Sequence, residues 1–465
     1  MYAEIAIAPE RVRESVAELA EAAQALGAYA SETSVRYLFL RPQGVLCATI
    51  DAGAGALPSM ANEMPLYDWH EREMREKQGI AFDGHPDTRR LYIGDGPVPE
   101  AMTAQGEGVN VVVVGPVHAG IIEPGRFTFS TGGETTIHLD AQFSYGHRDI
   151  ERALVGSDAL EIAPLIARIC GGCSVARSWS YARALESLAG VACDEATEYA
   201  RVVLAELERL YNHVFDLANA ASGAGYGRGL TVGLGLKERI LQLCAAATQH
   251  RLMFDSIVPG GVRTGVLSDP QALRANLRAV RRDVERFAKE LFENRSVVRR
   301  FGGAGLVDSQ TARLFGACGP AARASGVELD VRTFCTYGAY AGLDVQIATA
   351  KGGDVLARCS VKRHEIAESF RLIDASLAVL GDTSIPDPQS VQCGAGRTTA
   401  ALEGARGVET VSVEVSGDGT IERLHVISAS YRNWPVVGRA MEGNIIPDFP
   451  LVNKSFNLCY SCMDR

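Results

Sequence analysis

Two cysteine pairs at Cys-x-x-Cys spacing, Cys170-Gly-Gly-Cys173 and Cys459-Tyr-Ser-Cys462, stand far apart in this chain, with more than half of its length between them. A pair at this spacing can turn both sulfurs toward one ion. Thiolates are soft ligands that suit nickel, zinc, copper(I) or iron–sulfur sites. Zinc ribbons keep their pairs within about 15–20 residues. A separation this long describes a tertiary site, buried where two distant segments meet, which is unusual for a zinc staple and normal for a catalytic metal. Spacing alone leaves zinc as the leading metal. Cys47, Cys193, Cys244, Cys318, Cys335, Cys359 and Cys393 have no partner at ligand spacing and read as unpaired structural residues.

The start, MYAEIAIAPERVRESVAELAEAA, lacks a basic segment followed by an apolar one, so no secretory signal is expected. No stretch approaches the roughly 20 apolar residues that span a bilayer. The expectation is a cytoplasmic chain that reaches a membrane only through partners, and in that setting paired cysteines point to metal or redox chemistry rather than disulfides. Hydrophobic residues make up 47% and charged residues 22%, enough to bury a large core without staples. The net charge of -10 is spread along the chain, which argues against nucleic acid as a main partner. Arg281, Arg282, Arg286, Arg295, Arg299 and Arg300 could form a local basic face, but read more simply as a solvated helix surface.

The first hundred residues read as a small α/β unit. Residues 11–27 carry Val12, Val16, Leu19 and Ala23 at helical spacing. YLFLRP and GVLCATID are short strands split by a turn at Pro42, Gln43 and Gly44. LYDWHEREMREKQGI is a charged helix ending at Gly79, and Gly94, Gly96 and Pro97 mark a boundary around residues 95–108. NVVVVGPVHAG is β-rich, and FTFSTGGETTIHLD is a hairpin joined by Gly132-Gly133. From residue 145 the pattern turns helical, with apolar stripes at Val203, Leu207, Leu210, Val214 and Leu217 and at Leu273, Leu277, Val280, Val284, Phe287 and Leu291. Each stripe is the core face of a bundled helix. VETVSVEVSGDGTIERLHVIS is a hairpin with Val411, Val413 and Val415 on one face, and the last 35 residues read as loop.

The segments RICGGCS and CYSCMDR resemble the two metal-binding ends of nickel–iron hydrogenase large subunits. The resemblance implies that Cys170, Cys173, Cys459 and Cys462 ligate a NiFe(CN)2CO centre. HRDIER resembles the family's Arg-Gly-x-Glu segment and EGARG its Glu-x-Pro-Arg-Gly segment. By that resemblance Glu151 accepts the proton beside a nickel-bound sulfur, with a pKa raised by partial burial. Arg406 would hang over the open metal position.

YDWHEREMREKQGIAFDGHPDTRRL resembles the thirty-kilodalton peripheral subunit of respiratory complex I. GPVHAGIIEPGRF, VPGGVR and GACGPAARASGVELDVR resemble its forty-nine-kilodalton subunit. Fused, and with both cysteine pairs kept, these pieces resemble the large subunit of membrane-bound, energy-converting hydrogenases of the formate hydrogenlyase type. The fold this implies is α+β: a small N-terminal α/β domain over residues 1–105, then a mainly helical hydrogenase large-subunit domain over 106–465 with peripheral β-hairpins. The chain has no compact iron–sulfur motif, so no Fe–S cluster is expected in it. Electrons would then come through an Fe–S small subunit, of the kind that complex I carries as its twenty-kilodalton subunit, and a ferredoxin-like subunit. The resemblance also implies antiporter-like membrane subunits and a peripheral place on the inner face of the cell membrane.

The competing reading is a complex I-like quinone or ion-pump coupling subunit with a vestigial or zinc-filled site. A sulfur-reducing relative is a third. Ile122 stands where the quinone-reducing branch has a second His, and all four cysteines are present, which favours hydrogen chemistry. The chain departs from the pattern at Arg177 for His, Gly172 for Val or Ile, Asn457-Leu458 for Asp-Pro, Ala405 for Pro and Asp149 for Gly.

Overall fold

The computed structural model describes residues 2–53, 55–93, 96–118, 122–381 and 383–465. Gly94, part of the expected boundary, and Ala119 and Gly120, at the end of the β-rich run, lie outside the described residues. The chain mixes helices and sheets, in keeping with the expected α+β class.

The N-terminal stretch builds a four-stranded sheet from β1 (Tyr2–Ala6), β2 (Gln24–Ser31), β3 (Ser34–Arg41) and β4 (Gly44–Asp51), in the order β1-β4-β3-β2. Arg41 pairs with Gly44 around the two-residue turn at Pro42-Gln43, as expected. Helix α1 (Val12–Ala22) stops short of the expected 27. The alanine-rich segment after it has good helix propensity, yet it runs as β2 because pairing with β3 buries nearly all of it. One sheet face packs Val12, Val16, Val35, Tyr37 and Phe39 into a local core. The other sends Leu26, Tyr29, Leu38 and Leu40 into the main core of the molecule. Helix α2 (Asp68–Gln78) ends where Gly79 takes φ +72°, which glycine adopts without strain. Its charged surface is not a solvated face: Glu71, Arg72 and Glu73 are all buried.

A second sheet of β5 (Val109–Val114), β6 (Arg126–Gly132) and β7 (Thr135–Gln142) contains the expected Gly132-Gly133 hairpin. The helical body follows: α3 (Ser174–Ala189), α4 (Glu195–Gly223), α5 (Gly227–Thr248), α6 (Pro270–Glu293) and α7 (Val355–Leu380). Both apolar stripes are buried along α4 and α6. On the outer side of α6, Arg281 pairs with Glu285 and Arg286 with Asp283, so that surface is mixed in charge rather than a basic face.

Two expectations fail near the end of the chain. The valine hairpin is not peripheral. Its strands β9 (Gly407–Val415) and β10 (Ile421–Ile427) join an unforeseen β8 (Gly396–Gly404) in a three-stranded sheet. That sheet is internal because α3 packs on it and the N-terminal unit covers its other side, through Arg36–Glu414 at 2.7 Å and Tyr29 stacked on His425. The last 35 residues are also not loop: they contain most of α8 (Ala429–Met441) and all of α9 (Phe449–Phe456). Pro435 and Gly438 read as helix breakers, but Ser428 caps the start of α8, Trp434 is fully buried, and Gly438 lets α8 lie close against the Leu139 carbonyl of β7.

Helices α4 and α5 touch at glycine. A Cβ on Gly233 would lie 2.4 Å from the Ala218 Cβ, whereas one on Gly235 would meet nothing within 4 Å. Gly233→Ala and Gly235→Ala both gain about 1 kcal/mol of helix propensity. Overpacking should cost Gly233→Ala roughly 1–3 kcal/mol. Scanning calorimetry should therefore show an unchanged or lower melting temperature for Gly233→Ala and a higher one for Gly235→Ala.

Candidate metal centre

The turn Cys170–Cys173 precedes α3 directly, and the Cys173 carbonyl accepts the first helical bond from Arg177 at 3.0 Å. Side chains of α4 hold this turn from below: Tyr211 Oη donates to the Gly171 carbonyl at 3.1 Å and Asn212 Nδ2 to the Gly172 carbonyl at 2.9 Å. The second pair follows α9. Ser430 Oγ accepts from the Cys459 amide at 3.0 Å, and Trp434 Nε1 donates to the Cys459 carbonyl at 3.4 Å. Tyr460 packs among Phe127, Phe143 and Trp434, and its hydroxyl lies 3.5 Å from His118 Nε2. The four sulfurs converge within 4.8 Å of one another, with Cys170 and Cys459 Sγ 3.0 Å apart, and none is in a disulfide. Cys170, Cys173 and Cys462 are buried and Cys459 is half-buried.

Hydrogen bonds from Cys173, Cys459 and Cys462 pull the Cys170 thiol well below its ordinary value. The contacts with Cys170 push Cys173 and Cys459 well above it. Two guanidiniums face the tetrad: Arg177 Nη2 is 3.4 Å from Cys462 Sγ, and Arg406 Nη1 is 4.0 Å from Cys173 Sγ. Four thiolates around a divalent ion carry a net charge of about -2, and two fixed cations offset it where water cannot. The donor set and its surroundings therefore fit a soft metal ion.

Arg406 sits in the two-residue loop between β8 and β9. Buried Arg209 of α4 fixes that loop by donating to the carbonyls of Glu403 at 2.8 Å and Gly404 at 3.0 Å. The departure at Gly172 has a physical reason here. A Cβ at Gly172 would lie 2.8 Å from Arg406 Nη1, so a larger residue would drive the guanidinium aside. At Asn457 the backbone is left-handed, φ +53°, which Asn tolerates. Its side-chain amide donates to Asp216, where an Asp would set two carboxylates together. Asp149 is likewise left-handed at φ +49°, the conformation that suits the family's usual Gly.

The raised pKa expected of Glu151 is reversed in the folded chain. Burial does work to raise its pKa, but Arg465, His425 and Lys77 outweigh burial and hold the carboxyl well below the usual range. Arg465 Nε donates to it at 2.8 Å, and Lys77 Nζ lies at 3.2 Å.

Several residues at the site escape sequence reasoning. Arg148, inside HRDIER, donates from Nη2 to the Ile169 carbonyl at 3.0 Å and the Ser461 carbonyl at 2.8 Å, clipping together the backbones that lead into Cys170 and Cys462. Glu409 accepts from Arg177 Nη2 at 2.7 Å. Its signal was present, for Glu409 continues the alternation of Val411, Val413 and Val415 and so puts a carboxylate on an apolar face.

A buried cluster of thiols gripped by helices and a clamped hairpin defines a thiolate metal-site subunit. Residues 225–391 and 385–465 match the family model described as respiratory-chain NADH dehydrogenase, 49 Kd subunit, and residues 6–103 match that of the 30 Kd subunit. The chain belongs to the 49 Kd subunit family. It is 28% identical to formate hydrogenlyase subunit 5 of Escherichia coli, over 93% of this chain and 82% of that one. It is 28% identical to the membrane-bound hydrogenase subunit alpha of Pyrococcus furiosus, over 76% of this chain and 86% of that one. In fold it is similar to a chain of the membrane-bound sulfane sulfur reductase, an archaeal respiratory membrane complex, with a TM-score of 0.72 and 24% identity over 78% of this chain and 100% of that one.

Glu208 of α4 lies behind the first cysteine turn. It accepts from the amides of Val175 at 2.7 Å and Ala176 at 3.1 Å at the start of α3. Burial pushes its carboxyl up to about 7. A carboxyl raised on folding contributes stability that is complete below the unfolded value of about 4.3 and is lost as pH rises through the folded one. Glu208→Gln should therefore flatten the fall of melting temperature between about pH 4.5 and 7. Thermal unfolding across that range checks it.

Proposed function

We propose that the chain is the catalytic large subunit of a membrane-associated nickel–iron hydrogenase that interconverts hydrogen with protons and electrons. The observation that carries this reading is the convergence of four thiols within 4.8 Å, in a chain whose similar proteins are named as hydrogenase components. Cys170, Cys173, Cys459 and Cys462 would hold a NiFe(CN)2CO centre. When bound, that centre supplies the two-electron redox chemistry of hydrogen.

The chain's own residues prepare the site. Arg177 and Arg406 offset thiolate charge in a buried setting, and Arg406 keeps its guanidinium beside Cys173 because Gly172 leaves room for it. Glu409 Oε2 shares the Arg177 Nη2 with Cys462 Sγ. Burial pushes the Glu409 carboxyl up against the opposing pull of Arg177.

In this reading residues 1–105 form an α/β domain of the thirty-kilodalton type and 106–465 the hydrogenase large-subunit domain. Electrons pass to an Fe–S small subunit, then a ferredoxin-like subunit, with antiporter-like membrane subunits completing the complex. No helix among the described residues is long and apolar enough to cross a membrane, so attachment to the inner face of the cell membrane would run through those partners. Val111, Val112 and Val113 on the edge strand β5 are exposed, a surface suited to a partner chain.

Protein made with its maturation machinery should contain nickel and iron in equal amounts. It should also show infrared bands of iron-bound carbon monoxide and cyanide. Cys462→Ser should abolish hydrogen turnover. Zinc without nickel and a silent infrared window would instead support a complex I-like coupling subunit.

A further inference from the structure

Outside the thiolate tetrad, one other cluster among the described residues has the geometry to ligate an ion: Glu73, Glu151 and His425 offer ligand atoms within 4.8 Å of one another, all buried. Its charges are already matched. Arg465 Nη2 donates to both Glu73 oxygens, at 2.9 and 2.8 Å, while its Nε donates to Glu151 Oε1 at 2.8 Å. Lys77 Nζ bridges the same carboxylates, at 3.1 Å from Glu73 and 3.2 Å from Glu151. Two carboxylates meet two fixed cations, which leaves no charge for a metal ion to neutralise. Arg465 is fully buried and lies 4.5 Å over the Tyr431 ring, whose hydroxyl donates to Glu73 at 2.9 Å.

These groups come from distant parts of the chain. Glu73 and Lys77 are on α2, Glu151 on the short helix Ile150–Ala153, His425 on β10 and Arg465 three residues beyond Cys462. Between Cys462 and Arg465 the backbone is tied again, as Ser144 Oγ donates to the Met463 carbonyl at 3.2 Å and the Arg148 amide to the Asp464 carbonyl at 2.8 Å.

We infer that Glu73 of the N-terminal unit and Glu151 of the segment before the first cysteine pair, gripping Arg465 together, form an ionic lock that seats Cys459 and Cys462 against Cys170 and Cys173. The N-terminal α/β unit is therefore part of what closes the thiolate cage. Arg465, Glu73 and Glu151 are positioning residues and touch no reacting atom. Arg465 binds the two carboxylates through separate nitrogens, Nε to Glu151 and Nη2 to both oxygens of Glu73, a directional grip that a lysine in its place would not reproduce. The role given to the lock rests on reading the tetrad as a metal site, but the lock can be tested without the metal.

The test uses the full chain prepared metal-free and treated with iodoacetamide under native conditions, with the modification of each cysteine followed by mass spectrometry. Buried Cys244 reports global unfolding. In Glu73→Gln and Arg465→Ala, Cys459 and Cys462 should react at least tenfold faster than in the parent chain while Cys244 stays protected. Arg465→Lys should fall between. Parent-like protection of Cys459 and Cys462 in both variants, with Cys244 also protected, would overturn the lock. If either variant exposes Cys244, Arg465→Lys decides: intermediate tail reactivity supports the lock and parent-like protection overturns it. Cobalt(II) titration of the same samples gives a readout of the cage itself. Thiolate-to-cobalt absorption should reach half-saturation at tenfold or more higher metal in Glu73→Gln, with partial recovery in Arg465→Lys relative to Arg465→Ala. Finding zinc in the matured protein would defeat the nickel reading and leave the lock standing, whereas parent-like thiol protection would defeat the lock and leave the nickel reading standing.

Discussion

Cys170 and Cys459 are 289 residues apart, and bringing their sulfurs together closes most of the helical body into one loop. For a flexible chain such a closure costs on the order of 5 kcal/mol before any sulfur is desolvated. The rest of the molecule is arranged around holding it shut. Helix α4 supplies the base, with Tyr211 and Asn212 fixing the first cysteine turn and Arg209 fixing the hairpin tip that carries Arg406. The aromatic cluster of Phe127, Phe143, Trp434 and Tyr460 supports the second turn, and Arg148 ties the two backbones to each other.

Much of this support is ionic and buried, which is an expensive way to build a core. Beneath the hairpin, Arg209, Arg323 and Arg332 are enclosed with Glu206, Glu365, Glu403 and Asp330, through contacts such as Arg323–Glu365 at 2.6 Å and Arg332–Asp330 at 2.7 Å. Three guanidiniums face four carboxylates. Burial, then the neighbouring Asp330, pushes the Glu403 carboxyl up, while Arg323 and Arg209 oppose the shift. Replacing such pairs by apolar residues often leaves stability unchanged, whereas breaking one costs about 3–5 kcal/mol. The network holds the Arg406 loop in one place beside the sulfurs, a directional constraint that an apolar core would not provide.

The placement of the HRDIER segment changes the division of labour at the site. Arg148 bonds to the Ser461 carbonyl, and Glu151 pairs with Arg465. The guanidiniums that reach the sulfurs come from Arg177 on α3 and Arg406 on a hairpin. The departures from the family pattern are correlated in space: Gly172 admits Arg406, and Asn457 pairs with Asp216 while its carbonyl accepts from Arg406 Nε.

The sequence by itself determined which cysteines could serve one ion, the helical body and most turns, because those depend on local spacing: Cys-x-x-Cys, stripes at three and four residues, and glycine at Gly79 and Gly132-Gly133. It also showed that the two cysteine pairs must meet if they serve one ion. What only the tertiary structure decided is how charge is distributed around them. Glu73 and Arg72 look solvated in a run as charged as DWHEREMREK, yet both are buried, Glu73 against Arg465 and Arg72 against Asp87. The sequence left Glu151 a free carboxyl with a raised pKa; its partner Arg465 is 314 residues away, and the pairing reverses the shift. Strand β2 and helix α8 were hidden for the same reason. Their local signals, alanine in one and Pro435 with Gly438 in the other, are outweighed by burial against segments far off in the chain. Local propensity is written in neighbouring residues, whereas the sign of a pKa shift and the identity of a buried partner come from atoms that meet only when the chain has folded.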